Sequence, residues 1–213
     1  MSYSIHLLST YKHAQRQANV LSTWLKGYDN YVFYTDRATS VGNQVEVDPD
    51  DTYNSNGKKN LAELHRVYNE RLYENTEWFL FCDDDTCVNL KRLEDLLPTL
   101  NKGEMYGSLL AGTWPRDTTL KYLSGGAGYL ISSDLIRKLG PPSLKYLDSS
   151  FYSDVCVGLW ARDNGVESVD VKGFHSQAPN FYSYGDSPLS EFYTFHYIKE
   201  LSQMQDLIRR YND

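Results

Sequence analysis

Little in this sequence serves covalent cross-linking, membrane insertion or nucleic-acid binding. Only three of the 213 residues are cysteine, Cys82, Cys87 and Cys156. Three thiols cannot all pair, and their spacing matches no metal-binding pattern, so buried thiols in a reducing compartment are expected. No apolar run approaches the roughly 20 residues that a membrane span needs. The start, MSYSIHLLSTYKH, lacks the long apolar core of a signal peptide. Basic residues are outnumbered 21 to 28, and the net charge of -7 excludes the basic footprint of a nucleic-acid binder. An anionic ligand would then need a metal or a local basic patch. There is no internal repeat, no low-complexity tract and no Pro/Gly/Ser-rich linker. The expectation is one soluble, cytoplasmic domain over residues 1–213, or a domain of a larger protein.

What is present suits a packed core: 41% of residues are hydrophobic and 23% charged. SIHLLST reads as a short buried strand, followed by a helical pattern through Trp24. YVFYT reads as a second strand ending at Asp36, and QVEVD as a third. Leu61, Leu64, Tyr68 and Leu72 fall on one face of a helix. WFLFC runs as a strand into acidic residues, with a helix from Leu90 that Asn89 can cap. SDLIRKLGPP reads as a short helix capped by Ser133, and another helix starts near Ser153 or Asp154. VESVDV is a strand, and APNFYSYGDSPLSEFYTFHY an ordered, tyrosine-rich loop. Strands alternating with helices predict an α/β sheet, parallel at least in part.

The stretch EWFLFCDDDTCVNLKRLEDLL poses the chemical question. Five apolar residues lead into Asp83, Asp84 and Asp85. A strand buried on both faces opens at its carboxyl end into the crevice where α/β sheets bind ligands. Three adjacent acids there suit a hard divalent cation. Competing readings are a solvated acidic loop at the start of the Leu90 helix and a calcium loop of the EF-hand type. The calcium loop would place Asp83, Asp85, Asn89 and Glu94 at ligand positions, but Val88 stands where that loop needs glycine. An Asp-based phosphohydrolase is a further reading; it needs several converging carboxylates and histidines, of which one cluster is evident.

Four motifs in order, WFLFCDDDTCVNLKRLEDLL, YLSGGAGYLISSDLIRKL, SDVCVGLWARDNGV and GFHSQ, carry a resemblance. Over roughly residues 4–177 the chain resembles the fringe-like and core-1 galactosyltransferase-like β-1,3-glycosyltransferases. The resemblance implies a GT-A-type fold with a Rossmann-like, mixed and mostly parallel central sheet. Its nucleotide-binding half would span about residues 1–100 and its acceptor-side half about 101–213. It implies transfer from a UDP-sugar to a glycan or glycoprotein hydroxyl, with inversion, and with Mn²⁺ rather than Mg²⁺ preferred by a histidine-containing ligand set. Asp85 and His175 would then bind the metal, and Asp83 the metal, its water or the ribose. Asp84 would sit near the sugar, and Thr10 and Asp36 at the base or ribose. Lys59, or its neighbour Lys58, would lie near the diphosphate. Gly125 and Gly126 would allow close approach of the ligand.

Asp154 would be the general base, although Ser153 stands where the family has a second acid. Each residue also has a plainer role: Asp154 as a helix cap, His175 as a core histidine, SGGAG as a tight turn. A retaining mechanism and a non-catalytic sugar-binding module remain as alternatives. Trp114, Tyr182 and Tyr184 are candidate walls of the specificity pocket.

Overall fold

The computed structural model describes residues 2–47, 52–112, 114, 116–150, 152–182 and 191–211. A seven-stranded sheet runs in the order β10-β6-β9-β4-β1-β2-β3. One half of it is formed by β4 (Trp78–Asp83), β1 (Tyr3–Leu8), β2 (Tyr31–Thr35) and the edge strand β3 (Gln44–Glu46). All four run parallel to one another. Beyond β4 come β9 (Tyr129–Ser132), β6 (Met105–Gly107) and β10 (Ser168–Asp170). β9 runs antiparallel to both β4 and β6. The sheet is thus mixed and mostly parallel, as expected. Two small sheets accompany it. One pairs β7 (Leu109–Ala111) with β8 (Lys121–Leu123). The other orders β11 (Phe174–His175), β12 (Thr194–Phe195) and β5 (Cys87–Val88).

Strand periodicity builds the two cores. Along β4, Trp78, Leu80 and Cys82 point to one face and Phe79 and Phe81 to the other. The first face is covered by α1 (Ala14–Ser22), α3 (Leu90–Leu96) and α6 (Leu201–Tyr211), through Val20, Leu93, Met204 and Leu207. The second is covered by α2 (Asn56–Asn69), α4 (Ser133–Leu139) and α5 (Ser153–Asp163), through Leu61, Leu64, Leu135 and the run from Val155 to Ala161. Each fully buried aromatic or aliphatic side chain on β4 contributes about 1.5–3 kcal/mol. All three cysteines are buried and free. No helix among the described residues is long and apolar enough to cross a membrane.

Caps fix where the helices start. Asn89 accepts a hydrogen bond from the Arg92 amide at 3.2 Å, as the sequence suggests. The cap of α4 is Ser132, not Ser133: its hydroxyl accepts from the Leu135 amide at 3.1 Å. The sheet's topology fixes where a ligand belongs. From β1 the chain moves to β2 on one side, and β4 lies on the other. The carboxyl ends of β1 and β4 therefore flank a switch point, with Leu8 in register with Asp83.

Candidate active site

Two adjoining cavities open at that switch point. One, of about 250 Å³, is lined by Thr10 at the end of β1, by Arg16 of α1, by Asp83–Asp85 and by Lys199. The other, of about 190 Å³, is lined by Gly125, Gly126, Ser153 and Asp154. Asn56, Asp83, His196 and Tyr197 border both.

At the border lies a donor cluster. Asp83, Asp85 and His196 bring one ligand atom each within 4.8 Å of one another, a group fit to hold a divalent cation. His196 Nε2 is 3.2 Å from Asp85 Oδ1 and 3.6 Å from Asp83 Oδ2. Burial and the charge of Asp85 push the Asp83 carboxyl up to about 7. Burial works in the same sense on Asp85, but the hydrogen bond from His196 and the charges of His196, Arg16 and Lys199 outweigh it and hold that carboxyl below its usual range. His196 responds reciprocally: burial favours the neutral ring, yet Asp85 and Asp83 raise it above its ordinary value. The cluster is a set of oxygens and one imidazole whose repulsion a cation would relieve.

The glycine turn sets the width of this border. A Cβ on Gly126 would sit 2.0 Å from the His196 ring, so only glycine lets that ring reach the carboxylates. A Cβ on Gly125 would sit 3.4 Å from Ser153 Oγ and 3.6 Å from Asp154 Cβ. Two hydroxyls hold the turn: Thr86 donates to the Gly126 carbonyl at 2.7 Å and Thr194 to the Ala127 carbonyl at 2.5 Å. Left-handed backbone in this turn occurs at Gly128 (φ 80°), while Gly125 and Gly126 act through close approach.

Asp154 faces the second cavity from the first turn of α5. Its Oδ1 accepts from the Val155 amide at 2.9 Å and its Oδ2 from Gly125 N–H at 3.5 Å. Burial raises its carboxyl above the ordinary range, against the pull of these backbone donors. It is not the cap of its helix, since that position belongs to Tyr152.

Residues 5–209 match the family model described as Fringe-like. The chain belongs to this family. Its similarity to a β-1,3-glucosyltransferase of Mus musculus is 27% identity over 174 residues, 78% of this chain and 34% of that protein. The β-1,3-N-acetylglucosaminyltransferase manic fringe of Danio rerio is 24% identical, over 87% of this chain and 58% of its own length. The chain thus spans about a third to a little over half of the relatives it matches. Among solved structures, galactosyltransferase LgtC in complex with donor and acceptor sugar analogues superimposes with a TM-score of 0.52 at 13% identity. That match covers 99% of this chain and 96% of LgtC, and identifies the GT-A-type fold.

The geometry groups His196, and not the expected His175, with Asp83 and Asp85. His175 lies buried with its ring stacked on Phe195 at 4.3 Å, and its Nε2 has no partner. Burial lowers it to about 4. The chain carries Phe-His twice, at Phe174-His175 and Phe195-His196, and the second copy falls in the tail that the motifs leave unmatched.

Asp84 lines the first cavity with its carboxylate already engaged by protein groups. It is buried, and its oxygens accept from Ser9 Oγ at 2.6 Å and Arg16 Nη1 at 3.2 Å, with His13 Nδ1 at 3.0 Å. It ties the ends of β1 and α1 to the acidic loop. Thr10 lines the first cavity and caps the turn Tyr11–His13. Asp36 and Lys59 lie buried, 3.9 Å apart, and line neither cavity, with Asp36 also accepting from the Tyr11 amide at 3.0 Å. Asn56, at the start of α2, is the residue of that helix that borders the cavities. Trp114 is buried in the second core. Tyr182 accepts from the Gln177 amide at 3.2 Å, and Tyr184 lies outside the described residues.

Proposed function

We propose that this chain is a metal-dependent glycosyltransferase that moves a sugar from a UDP-sugar to a hydroxyl of a glycan or glycoprotein, with inversion at the anomeric carbon. The observation that carries the reading is the juxtaposition of the Asp83–Asp85–His196 donor group with Asp154 across the glycine turn. Membership of the Fringe-like family and the names of its relatives support it.

Asp83, Asp85 and His196 would hold Mn²⁺, or Mg²⁺ in its place; such an ion, when bound, supplies Lewis-acid stabilisation of the departing diphosphate. The side chains around it have separate tasks. Arg16 and Lys199 place positive charge in the first cavity, where a diphosphate needs it. Thr10 stands at the strand end for the nucleotide, and the buried Asp36, paired with Lys59, holds the Tyr11 amide next to it. Glycine at 126 makes room for the His196 ring between the two cavities, and glycine at 125 keeps the second cavity open beside Ser153 and Asp154.

Asp154 takes the proton of the acceptor hydroxyl as its oxygen bonds to the anomeric carbon, while the bond from that carbon to the diphosphate breaks and UDP leaves. A carboxyl raised by burial is a better base than an ordinary one, and such help is worth about 10²–10⁴-fold in rate.

The test is donor turnover. Incubated with a panel of UDP-sugars and Mn²⁺, the protein should slowly release UDP from at least one of them. Release of inorganic phosphate instead would favour the phosphohydrolase, and no release with intact binding would favour a sugar-binding module.

A further inference from the structure

Five large apolar side chains are exposed among the described residues, and two of them, Tyr152 (41% exposed) and Tyr197 (45% exposed), border the same cavity beside Asp154. An exposed aromatic at the rim of a polar cleft offers a flat apolar face together with a hydroxyl, the pairing that suits an amphipathic ligand. The backbone of Tyr152 and the ring of Tyr197 are held in place. The Tyr152 amide donates to Ser150 Oγ at 3.0 Å, and its carbonyl accepts from the Cys156 amide at 3.1 Å. Tyr197 has φ 61°, a conformation that bulky residues rarely adopt, and its ring stacks on His196 at 3.7 Å. Tyr197 borders both cavities, whereas Tyr152 borders only the one that holds Asp154.

We propose that Tyr152 is a specificity-determining residue whose ring stacks against one face of the acceptor pyranose. The inference rests on the glycosyltransferase reading above. A pyranose carries a patch of C–H groups on one face and hydroxyls around its rim. Tyr152 supplies a surface for the first, two residues from the carboxylate that would receive a hydroxyl proton. Ser176 and Gln177 border the same cavity and supply polar groups for the second. A serine or threonine side chain has no flat apolar face to set against the ring. The cavity volume of about 190 Å³ lies below the roughly 300–1,000 Å³ of sites for drug-sized ligands, and fits a single ring. Tyr197 bounds the ring on the donor side.

The experiment is saturation-transfer NMR on the protein with UDP and Mg²⁺, probed with a panel of methyl glycopyranosides of common hexoses, pentoses and deoxyhexoses in both anomers. A short serine- and threonine-containing peptide is the comparison. At least one glycoside should bind, with saturation concentrated on the C–H protons of one ring face. Tyr152→Ala should weaken that binding by about tenfold, and Tyr152→Phe should hold it within about twofold, because stacking needs the ring and not the hydroxyl. Binding by no glycoside, equal binding in Tyr152→Ala, or binding of the peptide alone would overturn the proposal. UDP affinity measured by calorimetry on the same samples separates the two levels. Absence of metal-dependent UDP binding in the unmodified protein counts against the glycosyltransferase reading. Normal UDP binding with glycoside binding indifferent to Tyr152 counts against the platform alone.

Discussion

Two histidines on neighbouring strand ends sit in opposite surroundings. His175, on β11, is in register with Phe195 of β12, and the carbonyl of His175 accepts the amide of His196 at 3.1 Å. The His175 ring is packed between Phe195 and Tyr182, and burial drives it to the neutral form. The His196 ring lies over Gly126 against two carboxylates, which favour its charged form. Both follow a phenylalanine, so local sequence does not separate them. What separates them is that one ring packs in an aromatic pocket and the other leaves the short sheet for the switch point of the large one. The candidate cation group is thus built by topology, with donor atoms from the end of β4 and from a segment more than 100 residues further along the chain.

The sharpest break in this comparison comes from the ligands themselves. Asp85→Ala and His196→Ala should each weaken Mn²⁺-dependent UDP binding by about 100-fold or more, since even residues that only support metal ligands cost about 10–100-fold. Calorimetry checks this. Unchanged binding in His196→Ala would return the histidine role to another residue.

Asp154→Asn should divide the two cavities. Donor and metal affinity should stay near wild type while the transfer rate falls by about 10²–10⁴-fold, the usual contribution of a general base. Steady-state kinetics with UDP binding measured in parallel reads both. Transfer at the wild-type rate would leave Asp154 as a structural residue of the α5 start.

Gly126→Ala tests the border from the other side. A methyl group 2.0 Å from the His196 ring must displace that ring. Metal-dependent UDP affinity should fall by about tenfold or more, in the range seen when metal ligands are misoriented. The turn itself should stay folded, because φ at Gly126 is not in the left-handed region.

The smallest effect sharpens the comparison through pH. His6, buried and 3.0 Å from the Tyr34 hydroxyl, is lowered to about 3, and His175 to about 4. For both, the unfolded chain takes up the proton first. Their contribution is full above about pH 6.5 and is lost as pH falls toward the folded values. His196, raised without metal, works the opposite way, stabilising at low pH and losing that contribution as pH rises through its folded value. The raised carboxyls of Asp83 and Asp154 act in the sense of His196 and are common to wild type and variant, so the test is the difference: between pH 7 and 4 the denaturation midpoint of His175→Phe should be spared the part of the loss that His175 causes in wild type. A slope identical to wild type would mean that His175 is not buried neutral.

Much of the large sheet is legible in the sequence because its signals are local. WFLFC alternates faces as a buried strand must, Asn89 caps α3, and the leucines of α2 keep helical spacing. The donor carboxylates are legible for the same reason: an apolar strand running into three acids puts them at a ligand crevice. The two-residue strands β5, β11 and β12 are too short to carry a period, and with them His196 was hidden. Asp84 looks equivalent to its neighbours in the chain, and only the fold directs it toward Ser9, His13 and Arg16. Lys59 reads as a phosphate-binding lysine by position, yet the first turn of α2 carries it to the buried Asp36, outside the lining of either cavity.

The central claim, that the tail of the chain completes the metal site, is open to one direct measurement. Pulsed electron paramagnetic resonance of the Mn²⁺–UDP complex reports a nitrogen bound to the ion. The account predicts a single imidazole nitrogen coupling in the unmodified protein, retained in His175→Phe and lost in His196→Ala. A coupling that survives His196→Ala, or that disappears in His175→Phe, would contradict it.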